Sequence, residues 1–373
     1  MTSENPGDVE ATPIRARNLP WAVVAVLLLV GLTVTAAFGL LQGQDGTDSP
    51  GVSPAIDPPT SSRPFLRGMT VTCPRAGQIW GTEDMRLALR ELDTLGVDWV
   101  AIHPYAGIQR DGSIRHRPAK LVGYLDRAVR IAGDEQFQLF WKPHLAYWGS
   151  FEWRGEISFG EDEAAWKRFF DDYRAFIVDQ AAFAETHGIS LFAVGVELEA
   201  TTHREKEWRK IVQEVRRVYS GRITYAANWD RLSRVSFWDA VDVIGVQAYF
   251  PLSDEQSPSL ETLSLGWNRH LDQLEEFSRS LGKKPVLFTE IGYNSASNAA
   301  REPWSYRVED NPENRELRRR LIETALTKLE GRAFLEGVFW WKWMPGKSAG
   351  RSNFSMRDPE MKRALREAWA SES

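Results

Sequence analysis

Two glutamates, Glu197 and Glu290, each close a short apolar run that reads as a buried strand: Leu191-Phe-Ala-Val-Gly-Val-Glu197 and Pro285-Val-Leu-Phe-Thr-Glu290. Desolvating an ionised carboxylate at such a place costs several kcal/mol, roughly, unless something pairs it. Two of them at strand ends of one domain point to a purpose other than folding. Cleavage of a glycosidic bond needs such a pair, one carboxyl as proton donor and the other as nucleophile or base. Glu199 competes with Glu197 for the first role, since alternate residues share a strand face.

Other strand ends are also polar or aromatic. His103 and Tyr105 close one run, and Lys142 and His144 another. Asn228 and Trp229, Tyr249, Tyr293, and Trp341-Lys-Trp343 follow in order along the chain. Hydroxyl-rich ligands need such donors and acceptors, and flat aromatic faces suit the C–H faces of sugar rings. The 16 tryptophans include Trp304 in a loop after the Glu290 run, and many of the others are expected to be ordinary packing. His103 and His144 show neither His-x-His nor His-Glu-x-x-His spacing, so no metal site is expected from them. A single cysteine, Cys73, excludes an intramolecular disulfide and a four-cysteine zinc site.

The elements that would hold these residues alternate. Strand candidates are Gly68–Thr72, Trp99–His103, Phe137–His144, Leu191–Glu197, Ile223–Asn228, Val243–Tyr249, Val286–Glu290 and Gly337–Trp343. Helical patterns lie at Thr82–Leu95, Asp162–His187, Trp208–Tyr219, Asn268–Leu281 and Asn314–Leu329, the first with Thr82 as N-cap. Near-continuous apolar strands separated by helices imply a parallel sheet covered on both faces. Eight such strands close most simply into a (β/α)8 TIM barrel, in which the strand C-termini meet at one rim. An open doubly wound sheet is the alternative, but no Gly-x-Gly-x-x-Gly turn follows the first strand.

Ahead of the barrel, residues 1–20 form a polar tail with Arg15 and Arg17. Trp21–Leu41 is an uncharged stretch of 21 residues, long enough as a helix to span ~31 Å and cross a bilayer. The flanking arginines place the tail in the cytoplasm and the remainder outside, with a cleaved secretion signal as the alternative. Residues 42–64 are rich in Gly, Ser, Pro and Asp and read as a flexible linker, leaving 65–373 as the catalytic domain. The net charge of -5 and the pI near 5.8 give no basic surface for nucleic acid.

Six blocks in order carry a resemblance. They are Trp141-Lys-Pro-His144, Val194-Gly-Val-Glu-Leu-Glu199, Tyr225-Ala-Ala-Asn-Trp-Asp230, Ile244-Gly-Val-Gln-Ala-Tyr-Phe-Pro-Leu252, Phe288-Thr-Glu-Ile-Gly-Tyr293 and Trp341-Lys-Trp343. From about Arg67 to Pro345 the chain resembles glycoside hydrolase family 113, retaining (β/α)8 enzymes whose known members are endo-β-1,4-mannanases. The resemblance implies that Glu197 on the fourth strand is the acid/base, Glu290 on the seventh the nucleophile, and Tyr249 a hydrogen-bond donor to Glu290. It leaves His103, Lys142, His144, Glu199, Asn228, Trp229, Tyr293, Trp304, Trp341 and Trp343 as candidate substrate contacts, and it implies no metal or organic cofactor. Two positions depart from the pattern: Val196 stands where a polar residue, often Asn, would contact the sugar 2-hydroxyl, and Gln247 where Asp is expected. Both bear on the sugar more than on the reaction. A β-mannan is the first expectation, a β-glucan or cell-envelope glycan the second, and a non-catalytic surface barrel that only binds glycan the third.

Overall fold

All eight apolar runs are strands, and they close in chain order into one parallel barrel. The computed structural model describes residues 64–346 and 353–370; the expected cytoplasmic tail, membrane segment and nearly all of the linker lie outside them. The first half runs β1 (Leu66–Val71), α1 (Glu83–Asp93), β2 (Trp99–Ile102), β3 (Tyr105–Ile108), β4 (Ile114–Arg115), α2 (Gly123–Asp134), β5 (Gln138–Trp141), β6 (His144–Ala146), α3 (Glu163–Thr186) and β7 (Leu191–Val196). The second half runs α4 (Glu205–Val218), β8 (Arg222–Asn228), β9 (Val243–Gln247), α5 (Leu260–Ser280), β10 (Val286–Ile291), α6 (Pro312–Leu329), β11 (Leu335–Trp343) and α7 (Pro359–Trp369). Barrel closure joins β1 to β11, with Leu66 opposite Gly337 and Thr70 opposite Trp341.

Period-two alternation divides the core. Ala101, Phe140, Ala193, Ala226, Val243, Leu287 and Phe339 belong to a small cluster that fills the barrel interior. Their strand neighbours, among them Val100, Trp141, Phe192, Tyr225, Ile244, Phe288 and Trp340, join the larger layer between sheet and helices. The expected strand Phe137–His144 is in fact two. Pro143 has no N–H to donate to a ladder, so β5 stops at Trp141 and His144 begins β6 in a second sheet, ordered β4-β3-β6. That sheet extends the β2–β5 pairing above the barrel rim, with Tyr105 opposite His144.

The five expected helices are present with shifted starts, and α2 and α7 join them. Asp162, Ser259 and Asn311 cap α3, α5 and α6 by accepting from Ala165, Thr262 and Asn314 backbone N–H groups. Thr82 stands at the N-cap of α1 as expected, its carbonyl accepting from the Met85 N–H at 3.1 Å, but its hydroxyl donates to the Ile79 carbonyl at 2.7 Å rather than accepting from the helix. Among the described residues no helix is long and apolar enough to cross a membrane; the Trp21–Leu41 stretch is not among them.

Candidate active site

The inward alternation, carried past the last apolar layer, brings polar groups to the C-terminal rim. His103 lies two residues beyond Ala101, Lys142 beyond Phe140, Asn228 beyond Ala226, Thr289 beyond Leu287 and Trp341 beyond Phe339. Glu290 breaks the alternation, because the β9–β10 register shifts between Phe288 and Glu290 and turns this side chain toward the site. Glu197 follows β7 directly at φ 55°, a left-handed conformation costly for a residue with a side chain, and its N–H is held by the Ala226 carbonyl at 2.9 Å.

The two carboxylates are treated differently by their surroundings. Glu290, 5% exposed, accepts from the Lys142 ammonium at 2.6 Å on Oε1 and from the Tyr249 hydroxyl at 2.8 Å on Oε2. Lys142 also donates to the Thr289 carbonyl at 3.1 Å, and it is wholly buried. Burial pulls the Lys142 ammonium below its ordinary value, and Glu290 pulls it back. Burial together with Glu290 lifts the Tyr249 phenol well above its usual value, so it stays protonated and donates.

Among the described residues Glu197 has no comparable clamp. Its nearest cation is Arg154, Nε to Oε2 at 3.8 Å. Burial raises the Glu197 carboxyl to about 7, with Glu290 adding to the rise, while Arg154 and Lys142 oppose it. The Gln247 amide also leans toward the ionised Glu197, yet among the described residues its Nε2 makes no hydrogen bond of ordinary geometry; its Oε1 is taken by the Thr289 hydroxyl at 2.8 Å. Arg154 remains charged because Glu197 and neighbouring phenols and carboxylates outweigh the cost of burying it.

Arg154 belongs to a single 3-10 turn in the loop between β6 and α3, and nothing in its local sequence marks it. It donates to His144 Nδ1 at 2.8 Å, which fixes the His144 proton on Nε2. His144 and His103 stack at 4.8 Å, and burial drives both well below the ordinary imidazole value, so they are neutral. Among the described residues neither nitrogen of His103 has a partner, nor has His144 Nε2. Trp341 closes the pocket, its ring 5.8 Å from His103 and facing the ammonium of Lys142 at 5.6 Å. The Trp341–Lys342 peptide is cis.

Other expected contacts lie elsewhere. Tyr293 is 2% exposed, sealed behind α6 with its carbonyl held by Arg318 at 3.1 Å. Trp343 is wholly buried, its ring 5.6 Å from the Arg357 guanidinium. Both are core residues and neither reaches the cleft; the strand alternation that exposes Trp341 does not extend to them. Glu199 is not on the strand at all. It sits in the turn after β7, where Arg231 at 2.5 Å and Arg234 at 3.3 Å take its Oε1, so its role is to tie the β7 and β8 loops together. Trp229 is half-buried and pairs with the exposed Trp304 at 6.2 Å.

A closed parallel barrel with two unlike carboxylates at its C-terminal rim is the architecture of a (β/α)8 glycoside hydrolase. The model of glycoside hydrolase family 113 matches residues 69–355, and the chain belongs to that family. A β-1,4-mannanase of family 113, solved as a complex, superposes with a TM-score of 0.73 at 22% identity, over 83% of this chain and 100% of its own. The family 113 β-mannanase of Alicyclobacillus acidocaldarius, solved with ManMIm, gives 0.70 at 25% identity, over 82% of this chain and 97% of its own. A family 5 mannosidase from Rhizomucor miehei shares the fold at 0.53 and 11% identity, over 83% of this chain and 94% of its own. No curated protein matches the chain.

Proposed function

We propose that this glycoside hydrolase is a retaining, endo-β-1,4-mannanase-like enzyme. The unlike treatment of its two glutamates carries the reading. Glu290, hydrogen-bonded by a buried ammonium and a phenol, is equipped to act as the anion that attacks the anomeric carbon. Glu197, raised to about 7, is protonated in roughly half of the molecules at neutral pH, and that form delivers its proton to the leaving oxygen. In the second half of the cycle the Glu197 carboxylate takes a proton from water, which opens the glycosyl-Glu290 ester and restores both groups. Retention of this kind uses carboxyl groups roughly 5–5.5 Å apart.

Tyr249 and Lys142 position Glu290, while Arg154 and Gln247 limit how far Glu197 is raised. Val196 is buried in the barrel interior and offers no donor to a sugar 2-hydroxyl. That feature favours the second reading, a β-glucan or envelope glycan, as the alternative substrate. The barrel itself is proposed to work outside the cytoplasm on a membrane tether.

The test is hydrolysis of β-mannan, β-glucan, xylan and envelope glycans, with the product anomer followed by NMR. Glu290→Gln and Glu197→Gln should each lose on the order of 10²–10⁴ in kcat on β-mannan while keeping the folded circular-dichroism spectrum. An α-configured first product, or full activity in either variant, removes the double-displacement reading.

A further inference from the structure

The large aromatic side chains most exposed among the described residues are Trp148 at 64%, Trp304 at 43% and Tyr306 at 70%. All three stand on loops above the C-terminal rim, Trp148 between β6 and α3 and the other two between β10 and α6. A tryptophan left this open in water forgoes a large favourable burial, so its position asks for a ligand that covers it. The exposed tryptophans are not scattered. Trp148 is 5.5 Å from the Tyr105 ring, Tyr105 is 5.2 Å from His103, and His103 is 5.8 Å from Trp341 beside Glu290. A continuous line of rings thus runs from the nucleophile out to the rim. A second line begins at Trp229, which follows β8, the strand whose Ala226 carbonyl holds the Glu197 N–H, and it ends at Trp304, 6.2 Å away.

Resting on the glycosidase reading above, we infer that Trp148 and Trp304 are outlying sugar subsites on opposite sides of the scissile bond, so that the enzyme grips a neutral chain at both ends and cuts within it. The occupant follows from chemistry and continuity. Both lines lead into the pocket where a sugar must sit, and both platforms are uncharged π faces suited to pyranose C–H groups. A platform on each side only has use for a ligand that extends past the catalytic pair in both directions. Removing one ring should cost such a ligand about tenfold in affinity.

The experiment is calorimetric titration of the full-length Glu290→Gln protein in detergent with β-1,4-mannohexaose and with mannobiose. Trp148→Ala and Trp304→Ala should each lower the hexaose-to-biose affinity ratio about tenfold, and Trp148→Phe and Trp304→Phe, which keep a flat ring, should largely restore it. A ratio within twofold of the parent in both alanine variants overturns the subsites, as does a parent that binds hexaose no better than biose. The two readings separate cleanly. Hydrolysis of hexaose by the unmutated chain with ratios unmoved by either variant leaves the glycosidase and removes the subsites. Ratios that fall as expected, with no hydrolysis of any glycan, keep the subsites and remove the glycosidase. A Trp148 surface that captures protein instead of sugar would appear in the first of these outcomes.

Discussion

A carboxyl raised to about 7 in the folded protein, against an ordinary 4.5, holds a proton that the unfolded chain has already released across that interval. The unfolded state therefore binds fewer protons between those values, and stability falls as pH rises from 4.5 to 7. Above 7 the whole penalty is present, on the order of 3 kcal/mol for a rise of this size. Glu197→Gln removes the titrating group but keeps its shape, so the variant should be more stable than the parent at pH 8. Its advantage should shrink through pH 7 to 4.5 and vanish below, as read by urea denaturation at each pH. An advantage independent of pH would show that Glu197 is not the group with the raised value. At this scale the sequence was generous with strand ends and silent on loops. Glu197, Glu290, Tyr249 and Lys142 were legible because an apolar run ending in a polar residue is visible in one dimension. Arg154 was not, since its closeness to Glu197 and His144 is made by a loop whose local sequence resembles any other.

The strands supply that precision through alternation, and the glycines mark where alternation leaves no room. Gly245 lies in the inward register of β9, and a Cβ there would stand 2.4 Å from the Tyr225 carbonyl oxygen and 3.1 Å from Thr289 Cγ2. The carbonyl is backbone in a β8–β9 ladder and cannot step aside without moving Gln247 and Thr289, which hydrogen-bond each other beside the glutamates. Gly245→Ala should cost about 1–3 kcal/mol by thermal denaturation, with a loss of kcat as the Gln247–Thr289 contact shifts. An unchanged melting temperature would mean that the strands yield more readily than a closed barrel should. The eight strands could be read in order because each carries a mostly buried apolar run, broken by single residues such as Arg67, Thr224 and Glu336. By contrast, α2 buries Leu125, Ala128, Ile131 and Ala132 at helical spacing, but it begins at Gly123 without a side-chain cap and carries Gly133 in its last turn, so its residues give no start signal and read as a break. The β3, β4 and β6 strands, of two to four residues, are too short for any period to show.

At the scale of the whole molecule, the described barrel has no free edge, since β1 pairs with both β2 and β11. Such a domain depends on nothing N-terminal for its sheet. An anchor ahead of it would supply location rather than fold, and the two can be separated by experiment. Trp21–Leu41 has 21 uncharged residues, enough for ~31 Å of helix, and Arg15 and Arg17 precede it. If it anchors the protein with the barrel outside, the full chain should sediment with membranes and resist alkaline carbonate, while residues 65–373 expressed alone should stay in the supernatant. Protease added to intact cells or spheroplasts should digest the barrel of the full chain while a cytoplasmic marker survives. The soluble fragment should match the full chain in kcat/KM on short oligosaccharides, because the described groups around Glu197 and Glu290 come from the barrel and its loops. Release of the full chain by carbonate would remove the anchor and favour a cleaved secretion signal; protection of the barrel from external protease would place it on the other side of the membrane.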